Sequence, residues 1–262
     1  MDWLRGRSPF IVVSTVLGAL MVLFLVAPLA ASIGGSVGGV WGIVGDERTV
    51  DAFSTSLLAA TVATAFTLVL GVPLAYVITH HDFAGKRLIN TVLDIPLILP
   101  HNAAGIALLV VLNPRTFLGG AAASVGINFI DSLLGVVAAM AFVSAPFMIR
   151  SAQEAFTSVS PDMEKAARSL GASRGQVFTT IHLPLASRGI LTGCLLSWAR
   201  ALSEFGAVVI LAYYPKTVPV YLNEVLAMDG LPYVLPIIAM LIILSFAILL
   251  TFRTFTNRMS LL

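Results

Sequence analysis

Charge is scarce in this chain. Its 262 residues include 15 Lys and Arg and 13 Asp and Glu, 11% in all, against 58% apolar. A soluble globular domain carries about 25% charged residues, so these charges are too few to cover a water-facing surface. The near balance, a formal net charge of +2, leaves no basic footprint for nucleic acid. Cysteine is almost absent too: Cys194 stands alone and has no partner for an intramolecular disulfide. There is no phosphate-binding loop, because the one Gly-Lys pair, Gly85-Lys86, runs into Arg87 and lacks the upstream glycine. No nucleophile elbow occurs, and no Cys, His and carboxylate cluster at metal-ligand spacing. His80-His81 is a tandem pair, and neighbouring helical positions point about 100° apart, which disfavours joint chelation. Catalytic residues, metal ligands and a cofactor held by this chain are therefore not expected. Soluble enzymes, nucleic-acid binders and disordered chains drop out, which leaves an all-α polytopic membrane protein.

Long apolar runs are what the chain does have. A helix needs about 20 mostly apolar residues to cross a bilayer, and six segments qualify: residues 10–31, 53–78, 88–112, 132–150, 188–212 and 232–253. They make one transmembrane domain over 1–262. The first follows Arg5 and Arg7, but it exceeds the 7–15 residues usual for a signal-peptide core, so it reads as a retained anchor. Lys and Arg set the orientation. One side holds Arg5, Arg7, Lys86, Arg87, Arg150, Lys165, Arg168, Arg174, Arg188, Arg253 and Arg258; the other holds Arg48, Arg115 and Lys216. Both termini are expected in the cytoplasm of a multi-pass cell-membrane protein. Residues 219–228 read as a short surface helix on the outer side.

The longest inward segment, residues 151–187, differs in kind. Ser160-Pro161-Asp162 starts a helix: a capping hydroxyl, a proline at the first helical position, and an acid at the positive end of the dipole. Met163, Ala166, Ala167 and Leu170 make one apolar stripe at helical spacing. Gly171 ends that helix, Ser173 with Gln176 boxes the start of a second, and Pro184 limits its extension. Two amphipathic helices joined by a glycine turn suit either the bilayer surface or a groove on a partner.

Two places inside the spans carry polar residues. Arg200 and Glu204 are one helical turn apart and share a face, either as an ion pair locking two helices or as a gate beside a pathway. Asp94-Ile-Pro-Leu-Ile-Leu-Pro-His-Asn102 contains two prolines, so the helix there bends or breaks. If it breaks, Asn102 caps a half-helix whose free amides suit an anion; the alternative is a mere kink against a neighbouring helix, and His101 by itself reads as a hydrogen-bonded packing residue rather than a ligand. Asp94 and Glu204 are also the carboxylates that an ion-coupled secondary transporter would titrate.

Glu164-Lys-Ala-Ala-Arg-Ser-Leu-Gly171 followed by Ile181-His-Leu-Pro184 resembles the E-A-A-x-x-x-G-x(9)-I-x-L-P signature of ABC importer permeases, with Lys165 where alanine is usual. Glu164, Ala167, Gly171, Ile181 and Pro184 match. The resemblance implies a type I importer transmembrane fold in which this segment forms coupling helices, docked into a groove on an ATP-hydrolysing subunit. It implies a homodimer, two cytoplasmic ATP-binding subunits that carry the ATP and Mg, and an extracytoplasmic binding protein. The 94–109 segment and Trp198-Ala-Arg-Ala-Leu-Ser-Glu-Phe-Gly-Ala207 look like oxyanion permeases. The run on to Ala212-Tyr-Tyr-Pro215 is most similar to the tungstate/molybdate type, with sulfate/thiosulfate permeases close behind. On this resemblance Pro100, His101, Asn102, Arg200, Ser203 and Glu204 are candidates for the oxyanion pathway or its gate.

Overall fold

In the computed structural model the described residues are 9–36 and 39–259, the side chains of 253 and 255–259 excepted, so Arg5, Arg7 and the side chains of Arg253 and Arg258 lie outside them. Among the described residues every element is a helix. In chain order these are α1 (Pro9–Gly34), α2 (Val40–Val44), α3 (Glu47–His80), α4 (Lys86–Ile98), α5 (His101–Leu112), α6 (Phe117–Ser124) and α7 (Leu133–Thr157). Then follow α8 (Pro161–Ser169), α9 (Arg174–Val177), a π-helical turn (Phe178–His182), α10 (Leu183–Leu202), α11 (Gly206–Leu211), α12 (Val218–Met228) and α13 (Leu231–Met259).

Among the described residues α1, α3, α7 and the Leu231–Phe252 part of α13 are long and apolar enough to cross a membrane, and α4 with α5 makes a fifth span bent by 118°. The bend falls at Leu99 and Pro100, where the proline lacks an amide hydrogen and clashes with the preceding turn. The segment expected to span at 188–212 is divided. Helix α10 ends at Leu202 and α11 begins at Gly206. Helix α7 runs on past the expected end at 150 to Thr157, since no breaker stands between Arg150 and the turn at Ser158. The inward segment is correspondingly shorter than 151–187.

The described residues form two compact units, those within 1–49 together with those within 222–262, and residues 50–221. In the first, α1 has no buried residue. Gly39 passes close to α13, where a Cβ would stand 2.7 Å from Pro236 Cγ.

The second unit holds the packed core. Ala59, Ala60 and Ala63 of α3 meet Ala139, Met140 and Val143 of α7 and Val208 and Leu211 of α11. Small residues let helix backbones approach closely where lipid supplies no hydrophobic drive. One such approach joins α10 to α7: a Cβ on Gly189 would sit 2.4 Å from Ala155 Cβ, and one on Gly193 2.9 Å from Ser151 Cβ. Each helix thus presents two small residues four apart. The start of α12 belongs to this core rather than to a surface helix, with Val218 and Val220 each 1% exposed and the Val218 amide donating to Ser56 Oγ at 2.7 Å.

Candidate functional site

The inward segment is built by its caps. Ser160 Oγ accepts from the Asp162 amide, Pro161 takes the first helical position, and Asp162 and Glu164 occupy the first turn of α8. Gly171 has φ +87°, the left-handed conformation that closes a helix most easily on glycine. Its amide donates to Arg168 O at 3.0 Å and that of Ala172 to Ala167 O at 3.1 Å. Ser173 and Gln176 then form the reciprocal capping box that opens α9. Met163 is 49% and Leu170 90% exposed, so the apolar stripe of α8 is uncovered within the chain.

The second helix does not stop at Pro184. Helix α9, the π turn and α10 run on as one rod, with helical dihedrals at Phe178, His182 and Leu183. Pro184 has no amide hydrogen, and its ring presses on the carbonyl four residues back. A widened π turn just before it takes up that conflict. Ile181 is half-buried, Pro184 exposed and Ala167 half-buried. Glu164 turns inward, its Oε2 lying 3.3 Å from Nε2 of the buried His182.

The second assembly lies where α5 begins beside the gap between α10 and α11. Glu204 is 1% exposed. Its Oε2 accepts from Arg200 Nη2 at 2.6 Å and its Oε1 from the Ala207 amide at 2.8 Å. The carboxylate thus pairs with the cation one turn back and occupies a free amide at the start of α11. Arg200 Nη2 also lies 3.0 Å from His101 Nδ1, and Nη1 donates to Ser203 Oγ at 3.4 Å. A guanidinium only donates, so a ring nitrogen of His101 is the acceptor in this contact. Gly206 packs on the start of α5, where a Cβ would meet Asn102 Oδ1 and His101 Cβ, each at 2.6 Å. Asn102 is not the cap of that half-helix. Pro100 holds the N-cap position with no side-chain bond, and Asn102 lies one residue inside the helix. The five residues His101, Asn102, Arg200, Ser203 and Glu204 therefore converge, with Pro100 setting the bend.

Asp94 is held as well. Its carboxylate takes both Nε, at 2.9 Å, and Nη2 of Arg150, and Asn90 and Gln153 complete the network through Arg150 Nη1 and Gln153 Nε2. The sequence reading missed this pairing, because the partners are 56 positions apart. It also missed the packing of Gly189 and Gly193 on α7, although their spacing of four was a visible signal.

The model of the family described as "Binding-protein-dependent transport system inner membrane component" matches residues 67–261. The molybdate/tungstate transport system permease protein WtpB of Thermococcus kodakarensis is 38% identical over 245 residues, 92% of this chain and 94% of its own. The sulfate transport system permease protein CysT of Salmonella typhimurium is 37% identical over 172 residues, 66% of this chain and 62% of its own. Among solved structures, a bacterial ABC transporter involved in importing the acidic polysaccharide alginate has a similar fold, with a TM-score of 0.75, 17% identity, and coverage of 95% of this chain and 96% of its own.

Proposed function

The chain belongs to the family of binding-protein-dependent transport system inner membrane components, and from that premise we propose that it carries a tetrahedral oxyanion, tungstate or molybdate, into the cell. As the permease subunit of an ABC importer it is the membrane component and not itself the ATPase. The ion-coupled reading falls away, since the chain is the permease subunit of an ABC importer, and Asp94 and Glu204 are both paired with arginines. What supports the substrate is the near-full-length likeness to a permease named for molybdate and tungstate, against a shorter likeness to one named for sulfate.

In this reading two copies enclose the pathway, two cytoplasmic ATP-binding subunits drive it, and an external binding protein delivers the anion. Both termini face the cytoplasm. The exposed stripe of α8, with Glu164, Ala167, Gly171, Ile181 and Pro184, forms the docking surface for the ATPase. A bare ion in hydrocarbon costs tens of kcal/mol by idealised estimates, so donors are needed along the way. Asn102, Ser203 and the amides at the start of α5 supply them, with His101 beside them, and the Arg200–Glu204 pair forms the wall or gate. Because Arg200 is neutralised by Glu204, these contacts are weak enough to release the anion.

The test is uptake into vesicles holding the permease with its ATPase and binding protein. We expect ATP-dependent tungstate or molybdate uptake that a tenfold excess of sulfate leaves largely intact. Uptake of sulfate in preference to both would overturn the substrate; uptake driven by an ion gradient without ATP would overturn the mechanism.

A further inference from the structure

His80, at the end of α3, does not chelate with its neighbour His81. It instead meets two residues from the inward segment. One nitrogen of His80, one of His182 and a carboxylate oxygen of Glu164 all lie within 4.8 Å of one another. The His80 and His182 rings are 4.3 Å apart between centroids and tilted by 72°. Three elements thus bring two imidazoles and one carboxylate to a point: the end of a spanning helix, the first turn of α8, and the π turn.

The surrounding contacts suit a metal. His80 Nδ1 lies 3.1 Å from Tyr76 O, and a carbonyl only accepts, so Nδ1 carries the proton and Nε2 keeps its lone pair. A metal-ligating histidine commonly donates its second N–H in this way to a backbone carbonyl. His182 is 1% exposed, and Nε2 is the ring nitrogen it turns toward Glu164. Glu164 Oε2 is 3.3 Å from His182 Nε2. With Zn–N near 2.0–2.1 Å, donors of a tetrahedral site stand about 3.3–3.5 Å apart, so this edge is already at the right length. Rotation of the half-buried Glu164 side chain and a small shift of His80 close the remainder. Tyr76, Phe156 and Phe178 wall the cluster, with ring centroids 4.4 Å from Tyr76 to His80 and 5.5 and 4.7 Å from Tyr76 to the two phenylalanines. Such a wall limits solvent access to the cluster and sets its local dielectric.

We propose that His80, Glu164 and His182 form a site for a borderline divalent transition-metal cation of the zinc class, with a fourth position left open. Two imidazoles and a carboxylate select such ions over magnesium or calcium, which favour oxygen-only shells. The bound ion fastens α8 to the ends of α3 and α10 and so stiffens that segment. Ion binding follows from the cluster's own geometry; only the consequence for coupling rests on the proposed function, so the two fail separately.

The experiment uses the full chain, purified in detergent, stripped with chelator and dialysed against Zn2+, with Co2+ as an optical probe. We expect one Zn2+ per chain and the visible absorption of low-symmetry Co2+, both retained by His81→Gln. His80→Gln should weaken Zn2+ binding about tenfold or more and abolish the Co2+ spectrum. If His80→Gln does not yield a monodisperse protein, Glu164→Gln is measured in its place with the same expectation. No saturable Zn2+ binding by the wild type, or equal binding by the ligand variant, overturns the site.

Discussion

Glu204 shows how one side chain answers two demands. As a buried carboxylate it needs a cation, which Arg200 supplies from one turn away, and a donor for its second oxygen, which the Ala207 amide supplies. Removing one member of a buried pair strands the other, at a cost of roughly 3–5 kcal/mol, while removing both charges is far milder. Glutamine at 204 keeps an oxygen for the Ala207 amide, which makes it the cleaner partner change. Arg200→Gln should therefore lower the melting temperature in detergent more than Arg200→Gln with Glu204→Gln. Equal melting temperatures for the two variants would argue against an energetic pair. The spacing of four announced this contact in the sequence. Its further tie to His101 joins positions 99 apart, which no local pattern reveals.

At the scale of elements, the sequence was most legible where one residue type carries a backbone constraint. Pro96 and Pro100 announced a bend or break, which falls at Pro100, and Gly171 announced the turn after α8. What stayed hidden was whatever depends on a second element. Asp94 read as a carboxylate open to titration until Arg150 of α7 was seen beside it, and Pro184 read as a stop until a π turn let the rod continue. The glycines separate these two situations by experiment. At Gly189 an added Cβ meets Ala155 Cβ at 2.4 Å, whereas at Gly175 nothing lies within 4 Å. Overpacking costs about 1–3 kcal/mol, while glycine to alanine in an open helix gains roughly 0.5–1 kcal/mol. Gly189→Ala should lower the melting temperature and Gly175→Ala should hold or raise it; the reverse order would mean that α10 and α7 are not in close contact. Gly171 is a third case, with open space around it but φ +87°. Gly171→Val costs on the order of 1 kcal/mol in backbone strain and re-aims α8 against α9. Assembly with the ATPase should survive while ATP-driven uptake falls severalfold, and uptake at the wild-type rate would separate this turn from coupling.

Over the whole molecule, composition settled more than any motif. Scarce charge and long apolar runs excluded soluble classes before any element was named, and the family to which the chain belongs agrees. The number of crossings was less legible, because a hydropathy window measures apolar length and not continuity. It passed over the gap at residues 203–205 and counted the α4–α5 pair as one span, with a bend that only the prolines announced. Orientation rests on a different property, the placement of Lys and Arg, which follows the cytoplasmic side of short loops. Lys86, Arg87, Lys165, Arg168, Arg174 and Arg188 fall in segments that share one side under this rule, and Arg48, Arg115 and Lys216 fall opposite. That distribution predicts the location of both chain ends, and reporter fusions read it directly. A fluorescent protein fused after residue 262 should fold and fluoresce in the cytoplasm, and alkaline phosphatase at the same place should be inactive. Inserted next to Arg115, between α5 and α6, the two reporters should exchange behaviour, since that segment is predicted outside. Active phosphatase at the C-terminus would reverse the orientation and with it the side on which α8 could meet an ATPase.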